Sequence, residues 1–243
     1  AESVIMNRIM PHIGALIVDE THALESSITS VMTARFDIES IRKLCDRFVS
    51  RRSDFEVKLG REVFDDFVRH SESVLLEMEM LVSLLLDHEK VRNSLGRDQG
   101  GGYGKWKTYE VYVDANILSD DTFRQKSFLL SSLSSHMQVI DTLLDGKSVR
   151  FVQIIERAIH DGITFLQMYF SANPWVVRSI NQRRDQVLLS YAPVRISGPL
   201  QSYIQDVGVV IGVSATLAIN GNFEYICNRL GMSWVRQLQY GEI

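Results

Sequence analysis

Cysteine is nearly missing from this chain. Its 243 residues hold two, Cys45 and Cys227. That is too few for a disulfide scaffold, a zinc ribbon or a four-cysteine iron–sulfur site, and it fits a reducing compartment. Long apolar runs are missing too. No stretch approaches the ~18 unbroken apolar residues of a membrane span, which excludes an integral helical membrane protein. No positively charged start leads into an apolar segment, so no secretory leader is expected. Positive charge is outweighed: 26 Lys and Arg against 30 Asp and Glu leave a net charge of -4. That balance argues against a globally basic nucleic-acid coat protein but leaves room for a local binding stripe. What is present, 45% apolar and 23% charged residues, suits an intracellular, globular chain of one or two domains.

The chain reads in three parts. Pro11 and Gly14 are turn signals ahead of Ala15–Val18, a short apolar run that reads as a buried strand and ends in Asp19 and Glu20. Ala23 to about Phe36 has no Gly or Pro and predicts a helix. From about Asp37 to Ser171 the pattern is helical. Ser53 and Glu56 form a capping-box signature. Beyond it, Val63, Phe64, Phe67, Val74, Leu75, Met78, Leu81, Val82 and Leu85 recur at three- and four-residue steps, one apolar stripe reaching about Ser94. Such a helix is roughly 60 Å long at ~1.5 Å per residue, and Gly60 is where it would bend. A second stripe, from Phe123 to Leu144, follows the cap candidate Ser119 and ends at Gly146. A third runs from Val149 to Met168, so the middle predicts an antiparallel bundle. Five glycines between Gly96 and Gly104 mark a loop, followed by alternating Tyr109, Val111 and Val113. In the last part, Trp175–Val177, Val187–Leu189 and Val207–Val213 read as strands. Helical stretches near Pro199–Gln205 and Phe223–Leu230 alternate with them, a rhythm that predicts a mostly parallel sheet. The expected fold is therefore α/β plus α, with residues 1–36 and 172–243 forming one sheet domain interrupted by a helical insertion at 37–171.

The chemistry-bearing signal is Leu16-Ile17-Val18-Asp19-Glu20-Thr21-His22. Two acids at the carboxyl end of an apolar strand lie where open α/β sheets bind ligands. In nucleotide hydrolases one acid holds magnesium and another orients the attacking water. The same acids also suit the start of the following helix, which favours negative charge. A second apolar run, Val209–Val213, ends in Ser214-Ala215-Thr216-Leu217. Asp-Glu-Thr-His and Ser-Ala-Thr-Leu, in that order, resemble motifs II and III of superfamily 2 helicases. Tyr191-Ala192-Pro193-Val194, Ser197-Gly198-Pro199-Leu200, Asn222-Phe223-Glu224-Tyr225 and Arg229-Leu230-Gly231-Met232 narrow the resemblance to the DinG/XPD helicases. In that family a helical insertion between the two motifs, the Arch, leans over the first RecA-like domain and helps form a hole for single-stranded DNA. The middle of this chain matches it by position and length only.

The resemblance implies an ATP-dependent 5′-to-3′ DNA helicase of the bacterial cytoplasm. Asp19 would help hold Mg2+, and Glu20 would be the catalytic base. His22, Ser214 and Thr216 would link the nucleotide site to the DNA path. Single-stranded or forked DNA is the expected partner, with protein partners reaching the Arch, and DNA repair or a CRISPR-associated role is the setting. Thr21 stands where the family usually has Ala, a small-for-small change. No Gly-x-x-x-x-Gly-Lys-[Ser/Thr] phosphate loop occurs in the chain. Gly146-Lys147-Ser148 sits between helices rather than after a strand, with Asp141 five residues before Gly146. The resemblance places the phosphate loop before residue 1 and the second RecA-like domain after Ile243, so the chain alone is not expected to hydrolyse ATP. The family's iron–sulfur cysteines would also precede motif II. Cys45 and Cys227 read as small apolar packing residues.

Lys105, Trp106 and Lys107 combine cations with an aromatic beside the glycine loop. A base stacked on such a ring contributes ~1–3 kcal/mol, although Trp106 packed on its own helices serves as well. Arg183 and Arg184 form a short basic pair between two predicted strands, a place where a hairpin turn is the plainer reading. The histidines other than His22 show no ligand spacing. A different class of function also suits the stripes: a helical interaction module on an inactive α/β base.

Overall fold

A computed structural model describes residues 14–96, 109–123, 125–146, 149–171, 173–183, 186–204, 207, 209–214 and 222–232. In chain order the elements are β1 (Ala15–Asp19), α1 (Leu24–Met32), β2 (Ala34–Asp37), α2 (Ile38–Ser50), α3 (Arg52–Leu59), α4 (Arg61–Asp87), α5 (Glu89–Gly96), β3 (Tyr109–Val113), α6 (Ala115–Leu118), α7 (Lys126–Leu144), α8 (Arg150–Tyr169), β4 (Val176–Arg183), β5 (Gln186–Pro193), α9 (Ser197–Ile204), β6 (Val209–Val213) and α10 (Glu224–Leu230). The fold is mixed α/β and mostly helical, and it divides into two compact units: Ala1–Thr33 with Ala192–Ile243, and Ala34–Tyr191. Among the described residues, no helix is long and apolar enough to cross a membrane.

In the first unit β1 and β6 pair in parallel, with Leu16 opposite Val210 and Asp19 opposite Val213. Strand side chains alternate between faces, and here the two faces differ. Leu16 and Val210 pack with Leu24, Ile28 and Met32 of α1 around buried Ile196, Leu200, Leu230 and Met232. The other face stays open, with Ile17 69% exposed and Val209, Ile211 and Val213 about half exposed. Helix α10 ends at Gly231, whose φ of 70° is left-handed, and a Cβ there would lie 2.6 Å from the Ser197 carbonyl. Both conditions demand glycine.

The second unit carries a four-strand antiparallel sheet in the order β2-β5-β4-β3. Its core joins Phe36 and Leu189 of that sheet to the apolar stripes of α2, α4, α7 and α8, with Phe48 stacked on Phe64, tilted against Phe55 and edge-on to Phe67. The three stripes fall on α4, α7 and α8, although Phe123 precedes α7 and Met168 is exposed. Several local expectations need correction. Among the described residues, parallel pairing is confined to β1 and β6, because β4 and β5 belong to the antiparallel sheet. The helix expected to reach Phe36 stops at Met32, and Ala34–Asp37 pairs with β5 instead. Ser53 lies inside α3, whose N-cap is Arg51 with no side-chain cap bond. The single long helix expected to reach about Ser94 is three helices: Gly60, at φ 84°, divides α3 from α4, and His88, at φ -60° and ψ 128°, divides α4 from α5. Ser119 follows α6, and α7 begins only at Lys126.

Candidate functional site

The first unit brings Asp-Glu-Thr-His together with Ser214, the first residue of the second motif. Parallel pairing puts the carboxyl ends of β1 and β6 side by side, so the residues that leave those strands meet although they lie 192 positions apart. His22 Nδ1 lies 2.8 Å from Ser214 Oγ and 3.1 Å from Glu20 Oε2, and the Ser214 hydroxyl donates to Glu20 Oε2 at 3.3 Å. One proton order satisfies all three atoms: the Nδ1–H donates to Ser214, and Ser214 donates to the carboxylate. The network is open to solvent, with the His22 and Glu20 side chains 49% and 64% exposed. Because serine and carboxylate meet the same ring nitrogen, the trio is no Ser-His-Glu nucleophile relay. A relay needs the two partners on opposite nitrogens.

The backbone is shaped to make this network. Glu20 has φ 49° and ψ 50°, the left-handed conformation, and it is the one non-glycine residue with positive φ among those described. A bulky side chain there costs on the order of 1 kcal/mol or more, so neighbouring contacts must hold it. The Ala23 amide donates to the Glu20 carbonyl at 2.8 Å, and the Glu20 amide donates to Asp19 Oδ1 at 2.9 Å. Asp19 is thereby oriented at the strand end. Neither acid caps the next helix with its side chain. Glu25 occupies the first turn of α1 and is ion-paired to Arg229. The helix-capping alternative for Asp19 and Glu20 therefore has no bond to support it.

Asp19, Glu20, His22 and Ser214 thus share one strand-end site. Thr216, Lys105, Trp106, Lys107 and Arg184 lie outside the described residues. Arg183 is the last residue of β4, in the other unit. Among the described residues, no group of three or more His, Cys, Asp or Glu side chains could hold a metal ion. A magnesium ion beside nucleotide phosphates takes only one or two protein carboxylates, and Asp19 is one hard oxygen donor of the right kind.

Two features escaped the sequence reading. His70 and His136 meet across α4 and α7, Nδ1 to Nδ1 at 2.9 Å, and His136 Nε2 lies 3.5 Å from Glu77 Oε1. Their separation of 66 positions gave no spacing signal. Arg178 looks like an ordinary strand charge, yet it is 1% exposed and donates to the carbonyls of Tyr169, Ser171, Asn173 and Val176. No protein-family model matches the chain, and no curated protein matches it either.

Proposed function

We propose that this chain is the central segment of an ATP-dependent 5′-to-3′ DNA helicase resembling DinG and XPD. The first unit carries Asp-Glu-Thr-His and Ser214, read as belonging to motifs II and III of a RecA-like domain, and residues 37–171, within the second unit, are read as the Arch insertion. One observation carries this reading. Asp-Glu-Thr-His and Ser214 leave adjacent parallel strands and close a hydrogen-bonded network through His22. In such a network a change at the nucleotide, felt by Glu20, reaches the strand that leads to the DNA path. Asp19 would hold magnesium, which supplies charge neutralisation at the phosphates. Glu20 Oε2 is engaged by His22 and Ser214, so Oε1 is the oxygen left to orient a water. The open apolar face of β1 and β6 also favours a larger parent, because parallel sheets are covered on both faces. Further RecA-like elements would cover it. Single-stranded or forked DNA is the substrate, gripped locally, with the Arch as gate or wedge.

The test is DNA-stimulated ATP hydrolysis by the parent protein and by its Glu20→Gln variant. Loss of turnover with ATP binding and fold retained is expected, because the amide keeps size and hydrogen bonding but cannot take a proton. Unchanged turnover, or a parent gene without a phosphate loop, would overturn the proposal. The helical interaction module on an inactive base is the reading that outcome would leave standing.

A further inference from the structure

Thr21 sits between Glu20, the proposed base, and His22, which links it to Ser214. It is 5% exposed, and its hydroxyl donates to the Val18 carbonyl at 2.9 Å and reaches the Val213 carbonyl at 3.4 Å. The first contact closes the turn Val18-Asp19-Glu20-Thr21 around the left-handed Glu20. The second crosses to β6, one residue before Ser214. It runs beside the His22–Ser214 contact, which joins the next residue on each side. Gly212 makes room for it. A Cβ at Gly212 would lie 2.8 Å from Thr21 Oγ1, 3.2 Å from its Cγ2 and 3.4 Å from its Cβ. Gly212 has no left-handed φ, so space alone requires glycine there.

We propose that Thr21 is a positioning residue and that Gly212 is its size complement. The threonine hydroxyl closes the turn that holds Glu20 in its strained conformation. Its weaker 3.4 Å contact to the Val213 carbonyl, together with the close fit of Thr21 on Gly212, ties the end of β1 to the end of β6 and sets the distance between His22 and Ser214. The small-for-small change read from the sequence is thus an added cross-link, which alanine at this position lacks. Its role in coupling nucleotide to DNA rests on the helicase reading; the latch itself does not.

The experiment uses the whole chain, with His22 imidazole nitrogen resonances read by NMR and assigned by loss in His22→Gln. Ser214→Ala supplies the reference position for a ring without its serine partner. Thr21→Ser keeps the hydroxyl and is expected to hold the wild-type resonances. Thr21→Val and Thr21→Ala are expected to move them towards the Ser214→Ala position, and the smaller Thr21→Ala variant gives the same reading if Thr21→Val fails to fold. Gly212→Ala is expected to lower the melting temperature, and Thr21→Ala/Gly212→Ala to recover part of that loss while the His22 signal stays displaced. A purely packing role for Thr21 would lower stability in Thr21→Ala without moving His22. That result, or a double variant no more stable than Gly212→Ala alone, overturns the proposal. The Glu20→Gln assay uses none of these signals, so failure of the latch and failure of the helicase reading are separable.

Discussion

Replacing Arg178 by methionine tests how the second unit is held together. Helix α8 ends at Tyr169, and a helix leaves its last four carbonyls without internal partners. From β4, Arg178 answers that need at the last of them, Tyr169, and also gathers three carbonyls of the chain that follows the helix. Its guanidinium donates to the Tyr169 and Ser171 carbonyls, both at 2.6 Å, to Asn173 at 3.1 Å and to Val176 at 3.0 Å. Lys126 adds a second cation at the same helix end, donating to Leu118 at 2.7 Å and Phe170 at 3.3 Å. Burial lowers the pKa of both cations, and for Lys126 the nearby Arg178 adds to the effect. The negative end of the α8 dipole and the carbonyls gathered around the guanidinium are what offset that cost. Charge-assisted bonds contribute about 1.5–3 kcal/mol each, so a plain sum over four carbonyls gives about 6–12 kcal/mol. The desolvation of the guanidinium, several kcal/mol, cuts into it. Arg178→Met keeps the apolar stem but leaves the buried Tyr169 carbonyl without this donor and the part-buried ones to water, for an expected loss of about 1–3 kcal/mol. Arg178→Lys keeps charge but not the planar fork and should recover about half. Urea unfolding followed by far-ultraviolet circular dichroism reads both, since most of the helix lies in this unit. A loss below about 1 kcal/mol for Arg178→Met, or a lysine variant equal to wild type, would refute the reasoning.

Two further predictions concern pH. Burial, with Asp46 adding to it, pushes the Cys45 thiol up to about 11 from 9.0. The folded state therefore keeps a proton that the unfolded state gives up, and stability falls as pH climbs from 9 towards 11. At pH 10 the loss is about 1.4 kcal/mol, and Cys45→Ala should abolish it in unfolding measured across that range. On the acid side, burial, then His136 and Arg69, lowers the pKa of His70. An unfolded chain takes up that proton near 6.5 before the folded one does, so stability falls as pH drops below 6.5. His70→Phe should flatten this acid slope of the melting temperature, and an unchanged slope would exclude the pair as its source.

The helical stripes were legible because a 3.6-residue period reports burial whatever the partner is. Phe64, Phe67, Val74, Met78 and Leu85 of α4 are all buried. Strand direction was not legible, because a β-branched run such as Val187–Leu189 marks a strand without saying which neighbour it takes. Strand β2 was hidden for another reason. Its four residues run on from α1 without Gly or Pro, and only the pairing of Phe36 with Leu189 makes them a strand. At the site, strand-then-acid order disclosed Asp19 and Glu20. Ser214 was reachable through its own strand. The left-handed Glu20, the Thr21–Gly212 contact and the buried Arg178 depend on through-space fit that no local pattern encodes.

These differences also separate where the molecule is strong from where its proposed chemistry lies. The Phe48 cluster and the α8 terminus are enclosed, so each contact there acts at low dielectric and counts heavily. The strand-end site is the reverse. Its charged groups are half exposed, its sheet has two strands among the described residues, and a pair of strands alone is marginally stable. Electrostatic contributions at such an open site are screened, and a base works best where water is excluded. On the helicase reading, then, Asp19, Glu20 and His22 gain their force only when nucleotide and the covering RecA-like elements enclose them. The hydrogen bonds around His22 and the backbone of Glu20 supply the arrangement in advance, and the enclosure supplies the dielectric.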